Sequence, residues 1–267
     1  MKLAWAFFRR DAAIALSYRL AFLAQFVGNV MLLAVVYFVG KTVGSQSLPA
    51  LQKYGGSFLA FWLIGIALTD CVSVSLASFA AQVREAQTTG TLEATLMSPV
   101  RLSVVLVYSS LWNYFLSAVR FVLYLVIGSA MYGVDLGRAN LFAALLIFLL
   151  TVFCFMGIGI LWAGIVLIIK RGEAIVMMGG VVVTLLGGVI FPVSLLPPWL
   201  QTLTKLVPLT HALDGMRFAL LQGYGLRELS STLTTLSIFA VVLLFAGIGG
   251  FNLAVEAGRR TGSLTQY

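Results

Sequence analysis

Apolar blocks of about 20 or more residues recur along these 267 residues, the length a helix needs to cross roughly 30 Å of hydrocarbon at 1.5 Å per residue. No soluble domain has use for so many such blocks. Composition agrees: 61% of residues are hydrophobic and 10% charged, against roughly 45–50% apolar and 25% charged in an ordinary globular chain. Strand-length alternating segments, which a membrane barrel needs, are not the dominant pattern. The expected fold class is therefore all-α, a polytopic membrane protein forming one domain over residues 1–267.

Six transmembrane helices are expected: Leu20 to Gly40, Phe58 to Phe79, Val104 to Tyr132, Leu141 to Ile169, Ile175 to Phe191 and Thr232 to Val255. The third and fourth exceed the bilayer's need, so each tilts or projects beyond it. The fifth is short and rich in glycine. The stretch before the first span lacks a compact apolar core and a small-residue cleavage site, so no cleavable signal is expected there.

Basic residues favour cytoplasmic loops. An inside N-terminus collects Lys2, Arg9, Arg10, Arg19, Arg84, Arg101, Lys170, Arg171, Arg259 and Arg260 on the cytoplasmic side. Lys41, Lys53, Arg138, Lys205, Arg217 and Arg227 then face outward. Both termini are expected in the cytoplasm, the protein in a plasma or inner membrane. This distribution accounts for the net charge of +8 without nucleic acid as a partner.

Several chemistries lack their residues. The two cysteines, Cys71 and Cys154, fall inside expected spans, where they pack as small apolar groups rather than form a disulfide. A single histidine, His211, gives no HExxH site, metal cluster or serine–histidine arrangement. No GxxxxGK[ST] stretch exists to cradle ATP phosphates. The chain is not expected to be an enzyme by itself or to hold a metal or cofactor; any ATP and magnesium would sit on a partner chain.

Residues 1–19 read as an amphipathic helix, with Trp5, Phe8, Ala12, Ala15 and Leu16 on one side and Lys2, Arg9, Arg10 and Ser17 in a neighbouring sector. Such a helix lies in the membrane interface against lipid headgroups, or serves as a plain charged topology anchor. After the second span comes "REAQTTGTLEATLMSP", residues 84–99, a polar patch in an apolar chain. Gly90 breaks any helix there, Glu93 is placed to cap a new one from Thr91, and Pro99 stops it. Leu92 and Leu96 form an apolar i, i+4 pair among threonines and carboxylates, a pattern suited to a partner's groove.

After the fifth span, Pro192 ends the helix, and Pro197 and Pro198 open a short one carrying Trp199, Leu200, Leu203, Leu206 and Val207. Pro208 breaks it. Thr210 then caps a second helix with Leu213, Met216 and Leu220 on one side. These form an outer helical hairpin within residues 192–231, too short to span. Asp214 and Arg217, at i, i+3, read as a modest exposed pair, and His211 as structural or interfacial.

Taken together, "REAQTTGTLEATLMSP" and "GGVIFPVSLLPPWLQTLTKLVPLTHALDGMR" resemble the permease subunit of type-2 ABC exporters, and the likeness covers essentially the whole chain. The resemblance implies a homodimer, or a heterodimer with a similar permease, on two separate ABC ATP-binding subunits. It makes residues 84–99 a coupling-helix region in which Thr91, Leu92, Glu93 and Leu96 dock on the ATPase. Arg84, Glu85, Thr88 and Gly90 lead the second span into it. It places Phe191, Pro192, Pro197, Pro198 and Trp199 at an outer gate. The cargo implied is amphipathic: a drug-like compound, lipid, glycolipid or peptide.

Four polar residues sit within the expected bilayer. Asp70 and Arg120 lie twelve residues from the outer ends of their spans, at Phe58 and Tyr132, hence at nearly equal depth. They form an ion pair or share a polar cavity; otherwise Asp70 is neutral and Arg120 snorkels. Gln25 and Asn29, at i, i+4 on the first span, either bond across helices or touch a polar part of the cargo. Gly180, Thr184 and Gly188 make a small-residue face for packing within one subunit or across a dimer. Two other classes remain: an ion-gradient transporter or channel relaying through Asp70 and Arg120, and a structural membrane subunit.

Overall fold

A computed structural model describes residues 2–43, 49–55, 57–90, 102–169 and 173–261. All regular structure among them is helical. The helices are α1 (Lys2–Ser17), α2 (Arg19–Val43), α3 (Phe58–Thr88), α4 (Leu102–Tyr132), α5 (Leu141–Ile169), α6 (Glu173–Leu186), α7 (Pro198–Thr204), α8 (Pro208–Arg217) and α9 (Ser230–Thr261). A 3₁₀ turn, Pro49–Tyr54, lies between α2 and α3, and a π-turn, Phe218–Gln222, extends α8.

The ends follow local chemistry. Ser57 accepts from the backbone N–H of Ala60 at 3.2 Å and starts α3. Gly90, at φ +69°, takes the left-handed conformation just past its end. Asn140 starts α5 by accepting from the Ala143 N–H at 3.0 Å. Pro198 occupies N1 of α7 behind Pro197, and Pro208 occupies N1 of α8 behind Val207. Thr210 therefore does not cap α8. It lies inside the helix, and its hydroxyl donates to the Leu186 carbonyl at 3.3 Å.

Among the described residues, five helices are long and apolar enough to cross a membrane: α2, α3, α4, α5 and α9. The expected fifth span, Ile175–Phe191, is α6, only 14 residues. At 1.5 Å per residue that is roughly 21 Å, short of the hydrocarbon thickness. Gly187 follows its last residue, and Gly188, at φ +72°, turns the chain away. Gly188 thus lies beyond the helix and cannot share a helical face with Gly180 and Thr184.

The core is built around α5. On one side Gly159 touches the α3 backbone at Ser75, so closely that a Cβ would overlap the Ser75 carbonyl. On another, Gly157 meets the α9 backbone at Leu243 and Gly247. With no side chain in the way, the backbones approach closely, which is how helices gain dispersion energy in lipid. Phe79, Phe155, Ile160, Leu167 and Phe251 fill the space between. Cys71 and Cys154 are free and buried.

Helix α1 packs on α4 through aromatic edges, with Phe8 centred 5.2 Å from Trp112 and 5.5 Å from Phe115. Trp5, which shares the expected apolar face with Phe8, stays 66% exposed. Helices α2 and α6 are thinly covered, showing Met31, Phe38, Met177 and Val181 among others.

Replacing Gly247 with valine should force α5 and α9 apart and markedly lower the yield of monodisperse protein in fluorescence-detected size-exclusion chromatography. Gly249→Ala, whose new Cβ meets nothing, should leave the yield unchanged or slightly raised.

Candidate functional site

Helix α3 buries most of its circumference, and the strip left open is small and polar: Thr69, Asp70, Ser73, Ala77 and Ala81 at helical spacing. Most of its length faces α6. Ser73, Ala77 and Ala81 on one side and Gly180, Val181 and Thr184 on the other line a groove of about 580 Å³. A Cβ on Gly180 would meet nothing within 4 Å, so its open face is unfilled by this chain.

Asp70 lies on this strip. Arg120 of α4 donates through Nε to Asp70 Oδ2 at 2.8 Å, and the Ser117 hydroxyl donates to the same oxygen at 3.5 Å. The arginine side chain is 4% exposed and the aspartate 22%. Ionisable groups at membrane depth are stable when each meets its counter-charge. A charge-assisted pair that is buried at the arginine and open at the carboxylate leaves Asp70 accessible from the strip.

Gln25 is exposed on α2 and borders a second cavity, at the foot of α1. Asn29 is half-buried, and its Nδ2 has no hydrogen-bond partner.

At the outer end, the hairpin helix α8 carries an arginine inside the protein. Arg217 is 1% exposed. One nitrogen, Nη2, donates to the carbonyls of Gly188 at 3.0 Å, Val189 at 3.1 Å and Phe61 at 3.3 Å. The guanidinium lies 3.3 Å over the Phe61 ring centroid and 5.6 Å from that of Tyr54.

Asp214 accepts instead from the Tyr54 hydroxyl at 2.5 Å. Burial, then the Asp214 carboxylate, raise the phenol far above its ordinary value and keep it a donor. The expected exposed Asp214–Arg217 pair is thus replaced by two buried arrangements. Spacing alone misled here; the apolar neighbours Leu213, Met216, Ala219 and Leu220 were the available signal, since they leave little room for solvent around residue 217. Nothing in the sequence pointed to Tyr54 or Ser117. His211 makes a structural contact, its Nε2 lying 2.9 Å from the Lys205 carbonyl.

The expected gate residues surround this cluster's loop. Pro192 is buried and precedes a 3₁₀ turn over Val193–Leu195; Phe191 is half-buried; Pro197, Pro198 and Trp199 are exposed. At the opposite end, Arg84, Glu85 and Thr88 continue α3 as one helix, with Gly90 just past it. Thr91, Leu92, Glu93 and Leu96 lie outside the described residues. Among the described residues, no cluster of histidine, cysteine, aspartate or glutamate could hold a metal.

Two substitution series follow. Arg120→Gln and Asp70→Asn should each lower thermal stability, since each leaves a charge unpaired at membrane depth, at a cost of about 3–5 kcal/mol. The double variant should recover part of it, giving a clear coupling energy in a melting-based cycle; no recovery would exclude a pair of consequence. Arg217→Met should cost roughly 2–4 kcal/mol by orphaning three carbonyls, while Arg217→Lys should retain part of that stability. A native-like melting temperature for Arg217→Met would contradict the buried role.

No curated protein matches the chain. A family model described as ABC-2 type transporter matches residues 2–221. That match takes in α1 to α8, the open strip of α3 and the Arg217 cluster, so the chain belongs to the ABC-2 type transporter family.

Proposed function

We propose that the chain is the permease half of an ATP-driven exporter, working as a dimer on two separate ABC ATP-binding subunits and moving an amphipathic cargo outward. The observation that carries this reading is the continuity of α3. One uninterrupted helix bears the open strip at Thr69, Asp70, Ser73 and Ala77, and runs on through Arg84 and Glu85 to Thr88. A push on its cytoplasmic end therefore reaches the strip without an intervening hinge.

The segment directly after that end carries Thr91, Leu92, Glu93 and Leu96, the residues assigned to docking on the ATPase. Closure of an ATP-bound pair of subunits would draw two such segments together and shift α3 and α4 against α2 and α6. Both of the latter are weakly held within one chain, and their exposed aliphatic faces, with the unpartnered Asn29 Nδ2, supply surface for a second permease. The cargo would run along the α3–α6 groove, whose small, mostly apolar walls suit a flexible amphipath, with Asp70 accepting from its polar part. Residues Phe191 to Trp199 would form the exit.

The termini and residues 84–99 would face the cytoplasm of a plasma or inner membrane, as the basic residues favour. In this topology α6 and the hairpin α7–α8 together complete the fifth passage. The ion pair of Asp70 with Arg120 supports this reading over an ion-gradient relay through the same two residues.

The test is ATPase activity of the chain co-expressed with a candidate ABC ATP-binding subunit, wild type against a Leu92→Ala, Glu93→Ala double variant. Co-purification, and loss of assembly or of cargo-stimulated hydrolysis in the variant, are expected. Absence of any associated ATPase, or an indistinguishable variant, would remove the coupling role of this segment.

A further inference from the structure

A cavity at the foot of α1 plays no part in the pathway described above. It measures about 790 Å³ and lies where α1 crosses the ends of α3 and α4. Its walls divide by chemistry. Ile14, Phe22, Val83, Leu106 and Leu116 are apolar; Arg10, Asp11, Gln25, Glu85, Trp112 and Asn113 are polar or charged. The two kinds interleave along the helices: on α4, Leu106 and Leu116 flank Ser109, Trp112 and Asn113. A cavity with both charged and apolar walls, at the foot of an interfacial helix, suits an amphipathic lipid.

Charge narrows the lipid. Arg10 and Asp11 are joined at 2.8 Å, the Arg10 guanidinium also lies 3.4 Å from the Ser109 hydroxyl, and Glu85 adds a second carboxylate. Two lining residues carry buried polar atoms with no partner: Asp11 Oδ2, an acceptor, and Trp112 Nε1–H, a donor. Leaving such atoms unmade is costly, and they are of opposite polarity. A headgroup with both an anionic acceptor and a cationic donor offers each its partner once the side chain swings to meet it. A purely anionic head would instead meet two carboxylates.

We infer that this cavity is a binding site for a single phospholipid whose head joins a phosphate to a primary ammonium. The phosphate meets Arg10 and the Trp112 N–H, the ammonium meets Asp11 and Glu85, and the acyl chains lie against apolar wall residues such as Ile14, Phe22 and Leu116. The lipid wedges α1 against the ends of α3 and α4. The side of the membrane is the cytoplasmic one in the proposed topology. The recognition itself depends neither on that nor on the exporter reading.

The experiment measures melting temperature of the purified full-length chain in mild detergent after adding phosphatidylethanolamine, phosphatidylcholine or phosphatidylglycerol of identical acyl chains, alongside native mass spectrometry of retained lipid. The ethanolamine lipid should raise the melting temperature by several degrees more than either of the others and be retained at one per chain. Asp11→Asn with Glu85→Gln should abolish that preference. Trp112→Phe, which keeps the ring against Phe8 and removes only the N–H, should weaken retention of the same lipid and serves if the double variant fails to fold. Ala77→Trp, which fills the α3–α6 groove, should leave the stabilisation intact. Equal stabilisation by the choline or glycerol lipid, an unchanged preference in both pocket variants, or loss of the effect in Ala77→Trp would overturn the site. The last outcome would mark the lipid as groove-bound.

Discussion

A helix that stops inside hydrocarbon leaves carbonyls with no water to bond, and the structure has to supply donors for them. Helix α6 stops early: Gly187 and Gly188 end it after 14 residues, short of the length that crosses a bilayer. Arg217 is the donor. Its guanidinium holds the carbonyls of Gly188 and Val189 and, on the neighbouring helix α3, that of Phe61. The Thr210 hydroxyl takes the carbonyl of Leu186. Both donors belong to α8, so the hairpin is the part that makes the early end of α6 tolerable. Remove it and the segment from Gly187 to Phe191 has no place at membrane depth.

The charge of Arg217 is made tolerable in turn. Phe61 and Tyr54 offer ring faces, and Asp214, though bonded to Tyr54 rather than to the arginine, contributes a favourable field. Tyr54 comes from the 3₁₀ turn ahead of α3, and the adjoining Lys53 carbonyl accepts from Gln222 at the end of the π-turn. Thus the first outer loop, the outer end of α3, the end of α6 and the hairpin form one polar-centred unit. Gly65 completes it: a side chain there would strike the Val189 carbonyl, so glycine lets α3 and the chain leaving α6 touch.

Hydropathy makes four of the spans legible to within a few residues at most of their ends, because each must supply about 20 apolar residues whatever its neighbours are. Leu141–Ile169 matches at both ends. The second span runs on to Thr88, beyond the expected Phe79, because the membrane sets only the apolar part of a helix and Gln82, Arg84 and Glu85 are good helix formers. Pro198 as the opening of a short helix was readable for the same local reason, whereas Pro208 reads as a stop and instead opens α8. What pattern could not show was tertiary. The apolar run Ile175–Phe191 is long enough to span, and whether two glycines break it depends on a donor 30 residues away. Arg217 has the spacing of a surface pair, and only the folded hairpin shows it enclosed. Asp70 and Arg120 were readable by equal depth, whereas the accessible side of the carboxylate depends on how α6 diverges from α3.

That divergence has a direction. At their outer ends α3 and α6 are joined, through Arg217 and the contact of Gly65 with Val189. Seven residues or more toward the other end, from Ser73 to Ala81, the same helices are parted by the open groove. Two helices pinned at one end and parted at the other form a wedge that is closed at the Arg217 end and accessible from the side where α3 ends at Thr88. Opening the pinned end must separate Phe61 from Gly188 and Val189, and a single nitrogen of Arg217 bridges all three. Such a motion exchanges buried, charge-assisted hydrogen bonds for carbonyls that need new donors, an expensive step unless cargo or water enters as they part. The same arginine that permits α6 to end early therefore also holds α3 and the end of α6 together.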